Sequence, residues 1–331
     1  MVFDVSTVFN CFANLTLPMK ILDAHRTAEV LPYAELVSAI ATAARQKISG
    51  QILAPERQVV QVDASRVLLN MPAIAHDIGI NKFLSVYANN GRIGLPSIQG
   101  EVTVFDSATG RRLALLDGPT LTGRRTAAVS MLGILTLARK KPTCVMLIGT
   151  GFQASVHADA LIEFFGVRHF LIAALDAVDA EAFCYALRLR HAASGEIKAE
   201  PILAQAIGQS APMPDVIIAL TTSKIPVIPV GIGRDTLAIG VGAFKPEMAE
   251  FPSELLHARA IVVDCLDGAR HEAGDLIQAA IDWSSVRELA QVLDQSAQPD
   301  KPVPVFKTVG QAAWDLAAAR VAVEILNGAV K

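Results

Sequence analysis

The residues whose types and spacing carry most chemistry are Gly149-Thr150-Gly151-Phe152-Gln153-Ala154, a GxGxxA turn directly after the apolar run Cys144-Val145-Met146-Leu147-Ile148. The two glycines allow a tight turn and a close approach of the backbone to a pyrophosphate. A helix opening at the turn offers free N–H groups and the positive end of its dipole, and Ala154 is small enough for that helix to pack on the strand. The chemistry this implies is the binding of a dinucleotide; the alternative use of such a turn is packing alone. An acidic side chain is expected about 20 residues further on, to hold a ribose hydroxyl. Asp176, in Ala173-Ala174-Leu175-Asp176, falls slightly late for that place, and no Arg stands there to meet a 2′-phosphate. This favours NADH over NADPH, although Asp176 could equally cap the next helix.

Other reactive residue types form no such pattern. Cys11, Cys144, Cys184 and Cys265 lie far apart without a CxxC pair, a usage that fits a reducing, cytoplasmic compartment. Cys144 sits in an apolar run and reads as a buried free thiol. No histidine pair has metal-ligand spacing, so no metal is expected, and His157 reads as a helix-surface histidine. The formal net charge is −3 with no long basic run, which argues against nucleic acid as a partner.

The elements that must position these residues follow from periodicity. The chain has 331 residues, 52% hydrophobic and only 5% aromatic, enough for two domains or one inserted in another and suited to helices on both faces of a buried parallel sheet. An Ala-rich helix is predicted over residues 33–46, followed by β-type runs at 58–62, 65–70, 82–87 and 99–105 with Asn-Gly and Thr-Gly turns between them. This region reads as an antiparallel or mixed sheet. A helix over 126–140, stopped by Pro142, precedes a strand at 143–148, a helix at 153–165, a strand at 169–173 and a helix at 179–190. That βαβα alternation predicts an α/β fold with a doubly wound, Rossmann-type parallel sheet. Further strands are predicted at 216–220, 237–241 and 260–263, and a last Ala-rich helix at 309–326. Residues 1–18 are apolar but contain Asp4 and no Lys or Arg, a poor signal peptide, and the better patterning from Met19 reads them as a dispensable extension. No run is long and clean enough to span a bilayer, so no membrane partner is expected.

Several segments together resemble the ornithine cyclodeaminase/μ-crystallin family. They are Pro55-Glu56-Arg57, Lys82 in Asn81-Lys82-Phe83, Gly94-Leu95-Pro96-Ser97-Ile98-Gln99-Gly100, Ala114-Leu115-Leu116-Asp117-Gly118 and Leu121-Thr122-Gly123-Arg124-Arg125-Thr126-Ala127-Ala128. The glycine turn and Phe306-Lys307-Thr308-Val309-Gly310 continue the match, which runs from about Met19 onward. The resemblance implies a homodimer in which an α+β dimerisation and substrate domain, residues 1–125 plus 307–331, carries an inserted NAD(P)-binding Rossmann domain, residues 126–306. It also implies that Arg57 and Arg125 clamp a substrate carboxylate, that Lys82 acts on the reacting nitrogen, and that Ser97 is a further polar contact. Thr122 and the Thr308–Gly310 stretch would line the site, Thr122 towards the cofactor. Each role is chemically apt: a guanidinium can hold a carboxylate in bidentate fashion, and a lysine in a dry pocket can trade a proton with an imine.

Two departures from the family pattern bear on the reaction. Ornithine cyclodeaminases have an aspartate in a Gly-Asp-x-Pro-Gly segment, and Phe244 stands there in Val241-Gly242-Ala243-Phe244-Lys245-Pro246-Glu247-Met248-Ala249-Glu250. A phenyl ring cannot serve the amine and water chemistry of deamination, but it can pack on a ring already closed. The stretch after Lys82 also lacks the Pro-Gly-Asn of many relatives. With TGRRTAAVS, the GAFxPxMAE stretch resembles the family's bacterial ketimine reductases. These use NAD(P)H to reduce small cyclic imine carboxylates: Δ1-pyrroline-2-carboxylate to L-proline and Δ1-piperideine-2-carboxylate to L-pipecolate. The rival expectations are an ornithine cyclodeaminase or related amino-acid dehydrogenase, and a μ-crystallin-like protein that binds NADPH and a small ligand.

Overall fold

The computed structural model describes residues 19–203, 213–295 and 300–328; the extension expected at residues 1–18 lies outside them. Two sheets organise the chain. The first has six strands: β1 (Lys20–Ile21), β2 (Gln58–Gln61), β3 (Arg66–Ile74), β4 (Ile78–Tyr87), β5 (Ile98–Asp106) and β6 (Arg112–Asp117). Their spatial order is β1-β6-β5-β4-β3-β2, antiparallel except for the β1–β6 pair, so the sheet is mixed. On β4, Ile80, Lys82 and Leu84 alternate with the exposed Phe83, and this period of two aims Lys82 inward among apolar neighbours. The helix Ala312–Gly328 packs on β3 and β4, and the helix Tyr33–Ile48, with Leu36, Val37 and Ile40 buried, packs on that helix in turn.

The second sheet contains β7 (Cys144–Ile148), β8 (His169–Ala174), β9 (Lys198–Leu203), β10 (Val216–Ala219), β11 (Leu237–Gly240), β12 (Ile261–Val263), β13 (Arg287–Glu288) and β14 (Val305–Lys307). All its pairings are parallel, in the order β13-β12-β14-β11-β10-β7-β8-β9. This is the doubly wound, Rossmann-type arrangement. Strands β10 and β11 are buried along their whole length because helices and loops cover both faces. The strand order reverses between β7 and β10, which opens a crevice at their carboxyl ends.

The helix Gly118–Leu137 joins the two sheets as a spine, running without a break across positions 125 and 126. It starts two turns earlier than periodicity alone predicts. Gly and Pro are poor helix formers, yet Gly118, Pro119 and Gly123 each have a helical reason. Pro119 sits in the first turn, and Asp117 caps the helix by accepting the Thr120 N–H at 2.8 Å. Gly118 lies so close to β5 that a Cβ would come 2.9 Å from the Glu101 nitrogen, and Gly123 faces the Phe152 ring. Strand β14, which the sequence pattern does not single out, brings Lys307 into the parallel sheet. The chain then returns as the helix Ala312–Gly328, which packs on Tyr33–Ile48, on the spine helix and on β3 and β4.

The spine meets the parallel sheet at Gly133, where a Cβ would stand 2.5 Å from the Phe306 ring. Gly133→Val should therefore overpack this contact and lower stability by about 1–3 kcal/mol, read as a lower urea midpoint with an unchanged slope.

Candidate active site

Three buried charges meet between β4, the spine helix and the last helix. Lys82 Nζ on β4 lies 2.7 Å from Asp315 Oδ2 on the last helix, and Arg125 Nε on the spine lies 2.9 Å from Asp315 Oδ1. Lys82 is 1% exposed, Arg125 6% and Asp315 fully buried. Burial pushes the Lys82 ammonium down to about 8 against the pull of the Asp315 carboxylate, and Arg125 adds to the fall. Burial alone would raise the Asp315 carboxyl, but Arg125 and Lys82 beside it hold it below the usual carboxylate range. A lysine with a lowered pKa thus sits beside a guanidinium for whose two terminal nitrogens no partner is found among the described residues, the fork that a planar anion would need.

Arg57 closes the site from the segment before β2. Its Nε pairs with Glu272 Oε1 at 2.9 Å, and its Nη2 donates to the Gly310 and Val309 carbonyls at 2.8 and 3.2 Å. Gly310 has φ +77°, and a Cβ there would come 2.8 Å from an Arg125 terminal nitrogen, so only glycine lets the loop pass between the two arginines. Asp264, just after β12, holds this loop. Its carboxylate accepts from Thr308 Oγ1 (2.8 Å), the Val309 N–H (3.0 Å), the Gly310 N–H (2.9 Å) and Trp314 Nε1 (3.1 Å). Thr308 therefore faces Asp264 through its hydroxyl.

The dinucleotide turn follows β7 at the crevice. Gly149 has φ +108°, and a Cβ there would come 2.8 Å from the Leu220 carbonyl oxygen at the end of β10. At Gly151 a Cβ would meet nothing within 4 Å, and no side chain caps the helix Phe152–Ala160 that begins there. Open space above an uncapped helix start suits a pyrophosphate. Thr150 lies between these two glycines, Ala154 is fully buried against the sheet, and the Gln153 Oε1 and Thr122 Oγ1 atoms are buried without a hydrogen-bond partner among the described residues. Phe152 is partly exposed, with its ring lying on Gly123 of the spine. Asp176 stands two residues past β8 and accepts the Val178 N–H at 2.7 Å, so it does cap the next helix, with one carboxylate oxygen engaged there.

Phe244 projects partly exposed from the loop after β11. The Glu of the MAE stretch fixes that loop: Glu250 accepts the Gly242 and Ala243 N–H groups at 2.8 and 3.1 Å, and Thr221 through its N–H and hydroxyl at 2.7 and 3.0 Å. Asp275 takes the Glu250 and Phe251 N–H groups and pairs with the buried Lys307 at 3.2 Å.

The structure thus brings Lys82, Arg57, Arg125, Thr308 and Gly310 together. It leaves Ser97 apart: Ser97 is exposed before β5, whereas the β5 partner of Lys82 is Val102, five residues or about 17 Å further along the strand. His157 is a correction. It is fully buried rather than on the helix surface, bonded to the Ser130 hydroxyl at 2.9 Å and the Gln153 carbonyl at 2.8 Å, and burial pushes its pKa down to about 4. A neutral imidazole here ties the dinucleotide helix to the spine. Asp315, Asp264 and Glu272 were missed from sequence. Asp315 alone had a visible signal, an acidic residue inside the apolar run Ala312-Ala313-Trp314-Asp315-Leu316-Ala317.

Among the described residues, no three His, Cys, Asp or Glu side chains cluster as a metal site, and no helix is long and apolar enough to cross a membrane. Residues 19–329 match the ornithine cyclodeaminase/mu-crystallin family. The chain belongs to that family. A Δ1-pyrroline-2-carboxylate/Δ1-piperideine-2-carboxylate reductase of Azospirillum brasilense is 42% identical over 310 residues, 93% of this chain and 96% of that one. A Δ1-pyrroline-2-carboxylate reductase of Burkholderia ambifaria is 41% identical, covering 92% of this chain and 95% of its own. The structure of Thermococcus litoralis Δ1-pyrroline-2-carboxylate reductase with NADH and L-proline aligns with TM-score 0.83 and 25% identity, covering 94% of this chain and 98% of that one.

Asp264→Ala would strand four buried donors, each costing about 1–3 kcal/mol when unpaired. The expected result is a clearly lower Tm and a raised KM for any carboxylate substrate, because the loop that carries the Arg57 contacts is released.

Proposed function

We propose that this protein reduces the C=N bond of small cyclic imine carboxylates, Δ1-pyrroline-2-carboxylate to L-proline and Δ1-piperideine-2-carboxylate to L-pipecolate, with NADH in preference to NADPH. The observation that carries this reading is the buried Lys82 paired with Asp315 and facing Arg125 and Arg57; the resemblance adds that a phenylalanine, Phe244, stands in the sequence where the cyclodeaminases have their aspartate. Reductases at 41–42% identity along almost the whole chain support it. The bound nicotinamide supplies the hydride that C2 of the imine accepts.

The protein's residues do the rest. Arg57 and Arg125 hold the carboxylate, which fixes the ring against the apolar edge of Phe244. Lys82 Nζ gives its proton to the imine nitrogen, so that C2 becomes electrophilic and the product leaves as an amine. Gly149, Thr150, Gly151, Phe152, Gln153 and Ala154 seat the pyrophosphate, Thr122 lines the cofactor side, and Asp176 offers its remaining oxygen to a ribose hydroxyl. No basic side chain occurs in Leu175-Asp176-Ala177-Val178, which supports NADH. The free thiols of Cys144, Cys184 and Cys265 suit a cytoplasmic setting.

We also propose that the protein is a homodimer built on the first sheet. Its β2 edge is exposed along its length, Val59, Val60 and Val62 stand in solvent, and Phe83 faces outward from β4. A face of this kind asks for a cover. Light scattering on the eluted protein should give twice the chain mass, and a monomer would remove this assembly.

The deciding assay follows nicotinamide absorbance with each imine and each cofactor, beside L-ornithine with ammonia detection. Oxidation of NADH with the imines supports the reading, whereas ammonia from ornithine overturns it. Lys82→Ala should lower kcat by at least about a hundredfold. Because the protonated lysine is the acid, kcat/KM should be level below pH 8 and fall about tenfold per unit above it, as the group at about 8 loses its proton.

A further inference from the structure

The last helix places a fully buried carboxylate in an otherwise apolar stretch, and its oxygens are divided between two cations, 2.7 Å from Lys82 and 2.9 Å from Arg125. As a stability device this is a poor choice, because a well-packed apolar side chain commonly serves as well as a buried ion pair. We propose that Asp315 is the positioning residue that keeps the proton on Lys82 and turns the terminal nitrogens of Arg125 toward the substrate carboxylate. The inference rests on the reading of Lys82 as the acid of imine reduction.

The geometry divides these two tasks between the two oxygens. Asp315 Oδ1 takes Arg125 by Nε, the one nitrogen a bidentate fork does not need, and so leaves both terminal nitrogens for an anion. Asp315 Oδ2 takes Lys82. Without that charge, Lys82 would face Arg125 across a dry site, with Arg57 also acting on it, and would lose its proton at neutral pH. The other neighbours do not substitute. On β3 the register partner of Lys82 is Met71, and on β5 it is Val102. The nearest β5 acid, Glu101, pairs with Phe83 and is exposed on the outer face. Glu272 is engaged by Arg57, and on the last helix Arg320 is engaged by Asp77. The charges of Lys82, Arg125, Arg57, Asp315 and Glu272 sum to +1, which a substrate monocarboxylate neutralises.

The test uses the full-length protein with lysine labelled at Cε, Lys82 assigned by difference from Lys82→Arg, and its NMR titration read without substrate. The same preparations then give kcat/KM against pH. In the wild type, Lys82 should be charged at pH 7. In Asp315→Asn its midpoint should fall by about 1–3 pH units, the alkaline limb of kcat/KM should move by the same amount, and Asp315→Glu should return both toward the wild type. A wild-type Lys82 that is neutral at pH 7 overturns the proposal even if Asp315→Asn does not fold. A midpoint unchanged in Asp315→Asn also overturns it, whatever the loss of rate, because that loss is then structural. If the midpoint moves while the rate profile does not, Asp315 still sets the proton on Lys82, and it is the acid role of Lys82 that fails.

Discussion

Two cations and one anion share a site closed off from solvent, and the rest of the molecule is arranged around that fact. A buried ammonium is costly unless a partner is close and well aimed. Here the partner comes from a helix more than two hundred residues away in sequence from the lysine it serves. Lys82, Arg125 and Asp315 each sit on a different regular element, a strand, the spine helix and the last helix, all packed on one another. Rigid elements hold side chains within the narrow limits that proton transfer and carboxylate binding require.

A second set of buried acids performs the same service for loops. Asp264 gathers the 308–310 loop and Glu250 gathers the loops after β10 and β11, each by satisfying several backbone donors at once. These loops leave the carboxyl ends of neighbouring parallel strands, the edge where a doubly wound sheet binds its ligands. The apolar sheet supplies the frame, and a few buried carboxylates decide where its upper loops stop moving.

Much of this is legible in the amino-acid sequence. The switch from alternating runs to βαβα marked both sheets, and the GxGxxA turn marked the crevice, because period and turn chemistry are local properties. What was hidden depended on distant contact. The start of the spine helix at Gly118 was obscured because its glycines are there for close approach to β5 and Phe152. The three-residue strand β14 carries too few residues to show a period. Asp264 and Glu272 look like ordinary surface acids until the fold brings them to Arg57 and the 308–310 loop. His157 was misplaced because a helix with apolar neighbours on two sides buries positions that a single amphipathic stripe would leave in solvent.

The position of β14 has a consequence for how the molecule is made. It is the last strand in the sequence, yet it lies between β11 and β12 rather than at an edge. Strands β12 and β13 therefore have no place in the sheet until residues 305–307 arrive, and the helix carrying Asp315 follows only then. The ion pairs of the site span sequence separations that belong to the slow end of chain closure. A nascent chain can complete the glycine turn after β7 long before it can complete the ion pairs of Lys82 and Arg125 with Asp315, so the two ends of the site are born at different times.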